Sequence, residues 1–417
     1  MTDSGPASEL QAGEGVPDAP AEAARTPLWR RLAILDWIAI ALFVLGWTAV
    51  ATGLLPAHDA RATITRILPL LVFLGSVIVL ARLYSEAQLF DVLAFRLTAL
   101  GRGRTWVLFP LCVLFAAATT IFLNLDTTAV LLTPVLLATA RRARMTALPL
   151  AMTTVWLANT ASLLLPVSNL TNLLAQSHLG AGGLEFVRAT WFPQLAVLVV
   201  VLAVLLLRHR RALRGGYDVP RGLPSHDPVL LWLSAAVVVA IGPAIVIGTP
   251  AWVVALAGSA LLVLAFAVRR PAGVRPGRLL RLVPWSVIAF AVVLFAVVEV
   301  VVEEESTLLD AFFGSGDSLG SLLQLAGSTG VLANVVNNLP AYLVVEPFTH
   351  TTDRLVTALV AVNVAPMLLA WGSLANLLWL RACRVRGLQV SMVRFGLEGL
   401  LVVPLAVSAG VLAVWLG

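Results

Sequence analysis

The chain has 417 residues, of which 59% are hydrophobic and 12% are charged, with a formal net charge of +6. Soluble globular domains contain about 45–50% apolar and about 25% charged residues. This composition therefore excludes a soluble enzyme, a nucleic-acid-binding protein and a disordered protein. Because runs of about 20 apolar residues can span a bilayer as helices, we predict an all-α polytopic membrane protein with about 11–13 transmembrane segments.

The N-terminal residues 1–28 differ from the rest of the chain. They are rich in Ala, Gly and Pro and contain five acidic residues, all of which precede the first basic residue, Arg25. This composition predicts a disordered tail, and its acidic charge argues against a signal peptide. Apolar segments then follow in chain order at residues 32–56, 64–83, 105–123, 127–140, 146–176, 189–207, 228–249, 250–268, 283–302, 319–349, 354–380 and 395–416.

The arginines orient these segments. All 28 basic residues are Arg, and they cluster at alternate ends of the predicted spans, beginning with Arg25, Arg30 and Arg31 before the first span. Basic residues concentrate on the cytosolic side of membrane proteins. We therefore predict a multi-pass protein of the cell (cytoplasmic) membrane with a cytosolic N-terminus. The arginines that this orientation leaves outside are Arg61, Arg66, Arg188 and Arg354.

The same orientation predicts two halves of opposite direction. The chain crosses the membrane an odd number of times between Arg104 and Gln176, and again in the opposite sense between Glu305 and Arg381. Such a pattern is typical of carriers with inverted-topology repeats and broken helices or re-entrant hairpins. The predicted domains are the cytosolic tail at 1–28, a first transmembrane repeat at 29–224 and a second at 225–417.

An internal sequence repeat supports the two halves. Residues 157–174 align without gaps on residues 361–378, and two asparagines lie thirteen residues apart in both copies. A looser match relates residues 124–129 to residues 336–341, which precede the main block in each half. The matched asparagines are Asn159 with Asn363 and Asn172 with Asn376.

Polar side chains cluster in these matched blocks. Polar groups at membrane depth are costly unless they face the protein interior or a water-filled cavity. Pro134, Pro166, Pro340 and Pro366 interrupt the helices there, and broken helices expose backbone groups that many carriers use for binding. We predict a substrate site in these blocks, while the alternative is that the side chains join helices by hydrogen bonds. The predicted substrate-binding residues are Asn124, Thr127, Thr128, Asn159, Ser162, Ser168, Asn169, Thr171, Asn172, Asn337, Asn338, Asn363, Ser373 and Asn376.

Asp126 is the isolated acid of the first block, since no other carboxylate lies between Asp91 and Glu185. Burial disfavours a charged carboxylate, so Asp126 is predicted to exchange a proton near neutral pH and to couple transport to protons. A neutral structural aspartate is the alternative. Three further acids near span ends are interpreted as solvated or snorkelling side chains. These are Glu299, Glu346 and Glu398.

Cysteine and histidine usage gives no sign of a metal or redox site. Cys112 and Cys383 fall in separate predicted helices, so neither a disulfide framework nor a zinc motif is indicated. The five histidines lie in loops or at span ends, and no H-E-x-x-H run is present. We therefore predict no cofactor, no metal and no enzymatic activity, with an intramembrane enzyme as the less favoured alternative.

The motifs resemble those of a known family. F-L-N-L-D-T-T-A-V-L-L-T-P (122–134) and A-N-T-A-S-L-L-L-P-V-S-N-L-T-N-L-L (158–174) look like the signature of the arsenical pump membrane proteins. These belong to the ion-transporter superfamily, with citrate and other dicarboxylate carriers and some sodium/proton antiporters. N-N-L-P-A-Y-L-V-V-E-P (337–347) and W-G-S-L-A-N-L-L-W-L (371–380) resemble the second-half motifs. The resemblance implies export of arsenite or antimonite, driven by proton exchange or by an ATPase subunit, and leaves a homodimer open.

The chemistry of arsenite fits the predicted site. Arsenous acid is neutral near neutral pH, so it needs hydrogen-bonding Asn, Ser and Thr side chains rather than an arginine clamp. Three-cysteine coordination is excluded because the chain has two cysteines. The sequence thus predicts an arsenite or antimonite carrier coupled to protons, within the lipid bilayer and without nucleic acid. A carrier of another ion, such as a dicarboxylate or sodium, is the alternative.

Overall fold

The computed structural model describes residues 57–179, 182–219, 222, 227–269 and 306–417. The acidic tail and the predicted spans at 32–56 and 283–302 lie outside these residues. The helices of the first half are α1 (Ala57–Glu86), α2 (Leu89–Leu100), α3 (Thr105–Phe122), α4 (Leu125–Thr127), α5 (Thr133–Arg142), α6 (Ala147–Thr160), α7 (Leu170–Gln176) and α8 (Gly183–His209). Those of the second half are α9 (Pro228–Val246), α10 (Ala251–Arg269), α11 (Ser306–Phe313), α12 (Leu319–Val336), α13 (Asn338–Val345), α14 (Thr352–Val364), α15 (Leu374–Val385) and α16 (Met392–Leu416).

The regular structure of the described residues is helical, with loops and irregular stretches between the helices, which confirms the predicted fold class. Seven of the described helices are long and apolar enough to cross a membrane. Because the backbone of a helix satisfies its own hydrogen bonds, such segments are stable in lipid. The seven are α1 from Leu68 onward, α3, α8, α9, α10, α12 and α16.

A helical hairpin opens the matched region of each half. The first hairpin consists of α3, a tip at Asn124, then α4, a π-helical turn at Thr128–Leu132 and α5. Its two ends meet at the same face, since Arg104 pairs with Gly216 while Arg144 lies 3.8 Å from Asp218. The predicted segment 127–140 is therefore the returning arm of a hairpin.

The second hairpin consists of α12, a tip at Asn337 and α13. The buried guanidinium of Arg354 holds its two ends together. Arg354 donates hydrogen bonds to the carbonyls of Gly314 and Gly316 before α12 and of Phe348 after α13. This arginine therefore has a structural role at the base of the hairpin.

A broken helix follows each hairpin. The predicted single segment 146–176 is α6 and α7, separated by an irregular stretch at 161–169 that we name the first break. The segment 354–380 is likewise α14 and α15, separated by the second break at 365–373. A long helix, α8 or α16, closes each half, so the same order of elements occurs twice.

The two largest of four buried apolar clusters contain most of the described helices. The larger cluster joins α3, α5, α6 and α8 to α14, α15 and α16. The second joins α1, α9 and α10, and it reaches the first hairpin tip and the first break through Leu123, Leu165 and Val167. Residues of both hairpins and both broken helices lie in the larger cluster, and the predicted polar site residues are carried by these same elements.

Three loops that carry predicted cytosolic arginines, around residues 101–104, 143–146 and 210–219, contact one another. Besides the contacts of Arg104 and Arg144, the hydroxyl of Tyr217 donates to the carbonyl of Thr98, and the amide of Tyr217 donates to Gly103. Burial raises the pKa of the Tyr217 hydroxyl, so it remains a protonated donor. This convergence agrees with the predicted orientation, and the assignment of the face to the cytosol stays a prediction.

Two glutamates interpreted as solvated are in fact buried. Glu398 is 4% exposed because α16 packs against α8, and Arg208 of α8 lies 2.9 Å from its carboxylate. Glu346 is 8% exposed and lies 3.6 Å from the Nδ1 atom of His178. Proximity to a helix end did not keep either carboxylate in water, because a neighbouring helix covers each one. Glu299 lies outside the described residues.

Candidate functional site

The first hairpin tip is built around Asn124. Its side-chain oxygen accepts a hydrogen bond of 2.7 Å from the amide of Thr127 and so caps the helix that follows. Thr128 donates to the carbonyl of Asn124 and accepts from the Thr120 hydroxyl on α3. Asn124 and Thr128 therefore hold the tip closed, whereas the Asn124 side-chain amide nitrogen donates no hydrogen bond within the described part of the chain.

Asp126 lies in the single turn of α4, directly behind this cap. Its Oδ1 atom is buried and has no hydrogen-bond partner among the described residues. Such unpaired buried carboxyl oxygens are costly and are usually found where a ligand or a proton is bound. The structure thus places the predicted coupling residue at a helix break, with an atom available for a proton.

The second hairpin tip differs from the first in backbone and in chemistry, since the backbone of Asn124 is extended, with a φ of 170°. Asn337 has the positive backbone φ of 89° and donates through its side chain to the carbonyl of Trp371 in the second break. The side-chain oxygen of Asn338 accepts from the amide of Leu339. No carboxylate occurs at this tip, whose sequence is V-N-N-L-P-A at 336–341.

The matched asparagines Asn172 and Asn376 hold the two breaks in the same way. Asn172 donates to the carbonyls of Ser162 and Leu165 at 2.6 and 3.0 Å. Asn376 donates to the carbonyls of Pro366 and Leu369 at 2.8 and 3.3 Å, which are the matched positions of the second half. Both amides therefore satisfy backbone groups that the broken helices leave unpaired.

The matched asparagines also join the two halves to each other. Asn159 donates to the side-chain oxygen of Asn376 at 2.8 Å, and Asn363 donates to that of Asn172 at 3.5 Å. Each donor also bonds the carbonyl four residues before it in its own helix. The internal repeat therefore appears in space as two crossed asparagine pairs near the centre of the larger core.

The remaining predicted residues surround these pairs. Ser162 and Asn169 donate to the side-chain oxygen of Asn363, and Ser168 donates to the carbonyl of Ile121 in α3. Asn169 and Ser373 cap α7 and α15 at matched positions. The buried hydroxyl of Thr171 has no partner within the described ranges.

Sequence reasoning did not single out Gln194, which supports the first break from α8. Its side chain donates to the carbonyl of Thr160 at 2.7 Å and accepts from the amide of Leu163 at 2.9 Å. The available signal was an uncharged amide in a helix that is otherwise apolar around it. Asn334 acts similarly on the second break, since it donates to Ala365 and accepts from Leu369.

The fourteen predicted binding residues thus divide into two groups. Most of the side chains hydrogen-bond within the hairpins and breaks, as expected if they join helices rather than bind substrate. These are several hydroxyls together with Asn169, Asn172, Asn363 and Asn376. The buried hydroxyl of Thr171 has no partner among the described residues, as is true of Oδ1 of the neighbouring candidate Asp126. The role of either group in substrate binding stays a prediction.

We expect Asn172→Ala and Asn376→Ala each to lower the free energy of unfolding by about 2 kcal/mol or more, because each change leaves two buried carbonyls unpaired. The two losses should be similar, since the two asparagines make matched bonds. Thermal midpoints in detergent measure the effect. Thr171→Val is the control: it removes a hydroxyl without a partner among the described residues and should not destabilise the protein. Unchanged midpoints in both alanine variants would contradict the role of the asparagines.

Comparisons with known proteins agree with this architecture. Residues 31–375 match the family model described as citrate transporter. The chain is 27% identical over 344 residues to the arsenical pump membrane protein of Escherichia coli strain K12, with 76% of this chain and 79% of that protein aligned. It is 27% identical over 342 residues to the arsenical pump membrane protein of Yersinia enterocolitica, with the same coverage of both chains.

A solved structure supports the fold. The crystal structure of the Alcanivorax borkumensis YdaH transporter, described as having an unusual topology, superposes with a TM-score of 0.55. The alignment covers 92% of this chain and 97% of that chain at 13% sequence identity. At this identity the likeness concerns the fold alone.

Proposed function

We propose that the chain, which belongs to the citrate transporter family and is a multi-pass secondary transporter, exports arsenite or antimonite. We propose that this export crosses the cell membrane and is driven by the exchange of protons. The proposal places the N-terminus in the cytosol and the two halves in inverted orientation. The observation that carries it is the first hairpin tip, where Asp126 and uncharged amides and hydroxyls lie together.

The electrostatics of the site favour a neutral solute. The polar groups at the hairpin tips and breaks are amides and hydroxyls, which bind neutral hydroxy compounds without a charged partner. Among the described residues, Arg354 is the buried arginine, and its guanidinium is used by backbone carbonyls at the base of the second hairpin. An arginine clamp for a dicarboxylate is therefore not formed by these residues.

Proton coupling follows from Asp126. A buried carboxyl with an unpaired oxygen is neutral when protonated and costly when charged. A carrier that exchanges one proton for one solute can therefore use this carboxyl. The carboxyl is deprotonated when the solute binds and becomes protonated when the solute leaves. The arrangement supports antiport by the chain itself, and neither a homodimer nor an ATPase subunit is needed for it.

A carrier of citrate or another dicarboxylate is the second candidate, and the family description favours it. Helices α7 and α15 begin at the two breaks, where Asn169 and Ser373 cap them. Backbone amides at such helix N-termini can bind the carboxylates of a substrate. Sodium as the coupled ion belongs to the same alternative.

Counterflow in proteoliposomes tests the proposal. Purified protein is reconstituted into separate liposome batches loaded with arsenite, antimonite, citrate or sodium, and uptake of the same labelled solute is measured with and without a pH gradient. We expect arsenite and antimonite to exchange and a pH gradient to drive their accumulation. Exchange of citrate or sodium without arsenite exchange would establish the alternative carrier.

A further inference from the structure

An ionisable pair joins the broken helix of the first half to the hairpin of the second. The Nδ1 atom of His178 lies 3.6 Å from the Oε1 atom of Glu346. His178 belongs to the turn Ser177–Leu179, which directly follows α7. Glu346 is the residue at which α13, the returning arm of the second hairpin, ends. The two side chains therefore connect the far ends of α7 and α13.

The two partners differ in their access to water. The side chain of His178 is 45% exposed, whereas that of Glu346 is 8% exposed. A histidine in contact with solvent gains or loses its charge between about pH 5 and pH 8. A buried carboxylate is costly unless hydrogen bonds or an opposite charge compensate it. The Tyr342 hydroxyl donates to Glu346 at 3.4 Å, but it supplies no charge.

The other titratable groups nearby do not replace His178 in this pair. Helices α7, α13 and α14 pack against one another, and α12, which also packs against α13, carries no charged residue. On α14, Arg354 donates to backbone carbonyls, and both Arg354 and Asp353 have Asp317 as their charged neighbour. His178 is thus the group that brings a titrating positive charge to Glu346. The titratable side chains of the surrounding elements are Tyr342, His350, Asp353 and Arg354, with Glu185 and Arg188 at the start of α8.

The position of the pair makes it sensitive to movement of the two halves. Carriers with inverted repeats expose their site by rocking or gating one repeat against the other. Helix α7 begins at the first break, where Asn169 caps it, and α13 begins at the second hairpin tip. Both helices thus start in the predicted substrate region and end at the pair. A relative movement of α7 and α13 changes the distance between His178 and Glu346.

Resting on the proposed function and its orientation, we propose that His178 and Glu346 form a pH-sensitive latch, which closes when His178 is protonated and slows solute exchange. Closure places an imidazolium beside the buried carboxylate, so the ion pair holds α7 to α13. At higher pH the imidazole is neutral and the latch is open. In the proposed orientation Gln176 and Arg354 lie outside, so the external medium titrates His178. The latch therefore limits exchange of solute and protons in an acidic medium.

Three proteins compared at the same pH test the latch. His178→Arg carries a positive charge at every pH, and His178→Gln carries none. Arsenite counterflow is measured with equal pH inside and outside, at about pH 5.5 and at about pH 8, on either side of the histidine range. We expect His178→Arg to be about threefold slower than His178→Gln at both values, as an ion pair of modest strength predicts. The unmodified protein should match His178→Arg at the lower pH and His178→Gln at the higher pH.

The comparison separates the latch from the coupling carboxyl. All three proteins keep Asp126, so its titration changes their rates equally at any one pH. Thermal midpoints in detergent check that both variants fold, which is expected because His178 is half-exposed. His178→Lys and His178→Asn take their places if either variant does not fold.

A change at the partner shows whether the two residues act as a pair. Glu346→Gln keeps the shape of the side chain and removes its charge, so it should abolish the difference between His178→Arg and His178→Gln. The matched control is His350→Gln, which changes an exposed histidine shortly after Glu346 in the chain. This variant should keep the pH response of the unmodified protein.

The outcomes separate the latch from the proposed function. Equal counterflow rates in folded His178→Arg and His178→Gln overturn the latch and leave the proposed function standing. A difference between these variants that persists with Glu346→Gln also overturns the latch, because the charge at His178 then acts on another group. Absence of arsenite counterflow in the unmodified protein overturns the proposed function and the latch together.

Discussion

Asp126→Asn is expected to reduce pH-gradient-driven arsenite accumulation to the level of protein-free liposomes, while exchange of arsenite without a gradient remains measurable. An asparagine side chain has the same size and keeps a hydrogen-bonding oxygen, but it cannot bind or release a proton. Only the step that moves a proton is therefore lost. The two readouts are accumulation under a pH gradient and counterflow at equal pH.

The change should be tolerated by the fold. Asp126 Oδ1 has no hydrogen-bond partner among the described residues, and the hairpin tip is held by the Asn124 cap and the Thr128 hydroxyl instead. Removing a buried ionisable group that makes no bond does not leave another group unpaired. We therefore expect an unchanged or slightly higher thermal midpoint.

Two control variants show whether the loss of accumulation is specific to the acid at position 126. Glu185→Gln removes an exposed acid at the start of α8 and should leave accumulation intact, since that carboxylate is in contact with solvent. Asp126→Glu retains an acid one methylene longer and should keep part of the accumulation. Gradient-driven accumulation that is the same in Asp126→Asn and in the unmodified protein would exclude Asp126 as the coupling residue.

The repeat in the sequence predicted that certain asparagines occupy matched positions in the two halves. Two asparagines at equal spacing indicated that Asn159 and Asn363, and Asn172 and Asn376, have matched roles, and the structure places them in two crossed pairs. The repeat could not show what each amide bonds, because an asparagine looks the same in sequence whether it meets a substrate or a backbone carbonyl. The side-chain oxygen of Asn363, for example, accepts hydrogen bonds from Ser162 and Asn169, and only the folded structure reveals these contacts.

Hydropathy predicted the helical membrane fold, and the prolines Pro166 and Pro366 predicted that its helices are interrupted, but neither signal gave the bounds of the breaks. The segments 146–176 and 354–380 are continuously apolar on average, so a window that averages hydropathy does not detect the breaks inside them. The buried Glu398 was misjudged for a related reason, since distance from a helix end says nothing about the neighbouring helix that covers it. Gln194 was missed because a single amide in α8 carries little weight until its bonds to the first break are seen.

Gly399→Ala is expected to destabilise the protein by about 3 kcal/mol or more and to impair transport, because α16 contacts the second break without room for a side chain. A Cβ atom at Gly399 would overlap the carbonyl oxygen of Met367, which belongs to the turn Ala365–Leu368. The obstacle is backbone, so no side chain can move aside. Either α16 or the break must shift, and the break carries the bonds of Asn334 and Asn376.

Gly327→Ala is the matched control for this prediction. Gly327 lies within the membrane-spanning helix α12, and a Cβ atom there meets nothing within 4 Å. Alanine is a better helix former than glycine by up to about 1 kcal/mol, so this variant should be as stable as the unmodified protein or more stable. Thermal midpoints in detergent and arsenite counterflow are measured for both variants. If Gly399→Ala destabilises the protein and Gly327→Ala does not, position 399 requires glycine because α16 packs closely against the second break, and not because glycine is flexible. Equal effects of the two substitutions would refute this explanation.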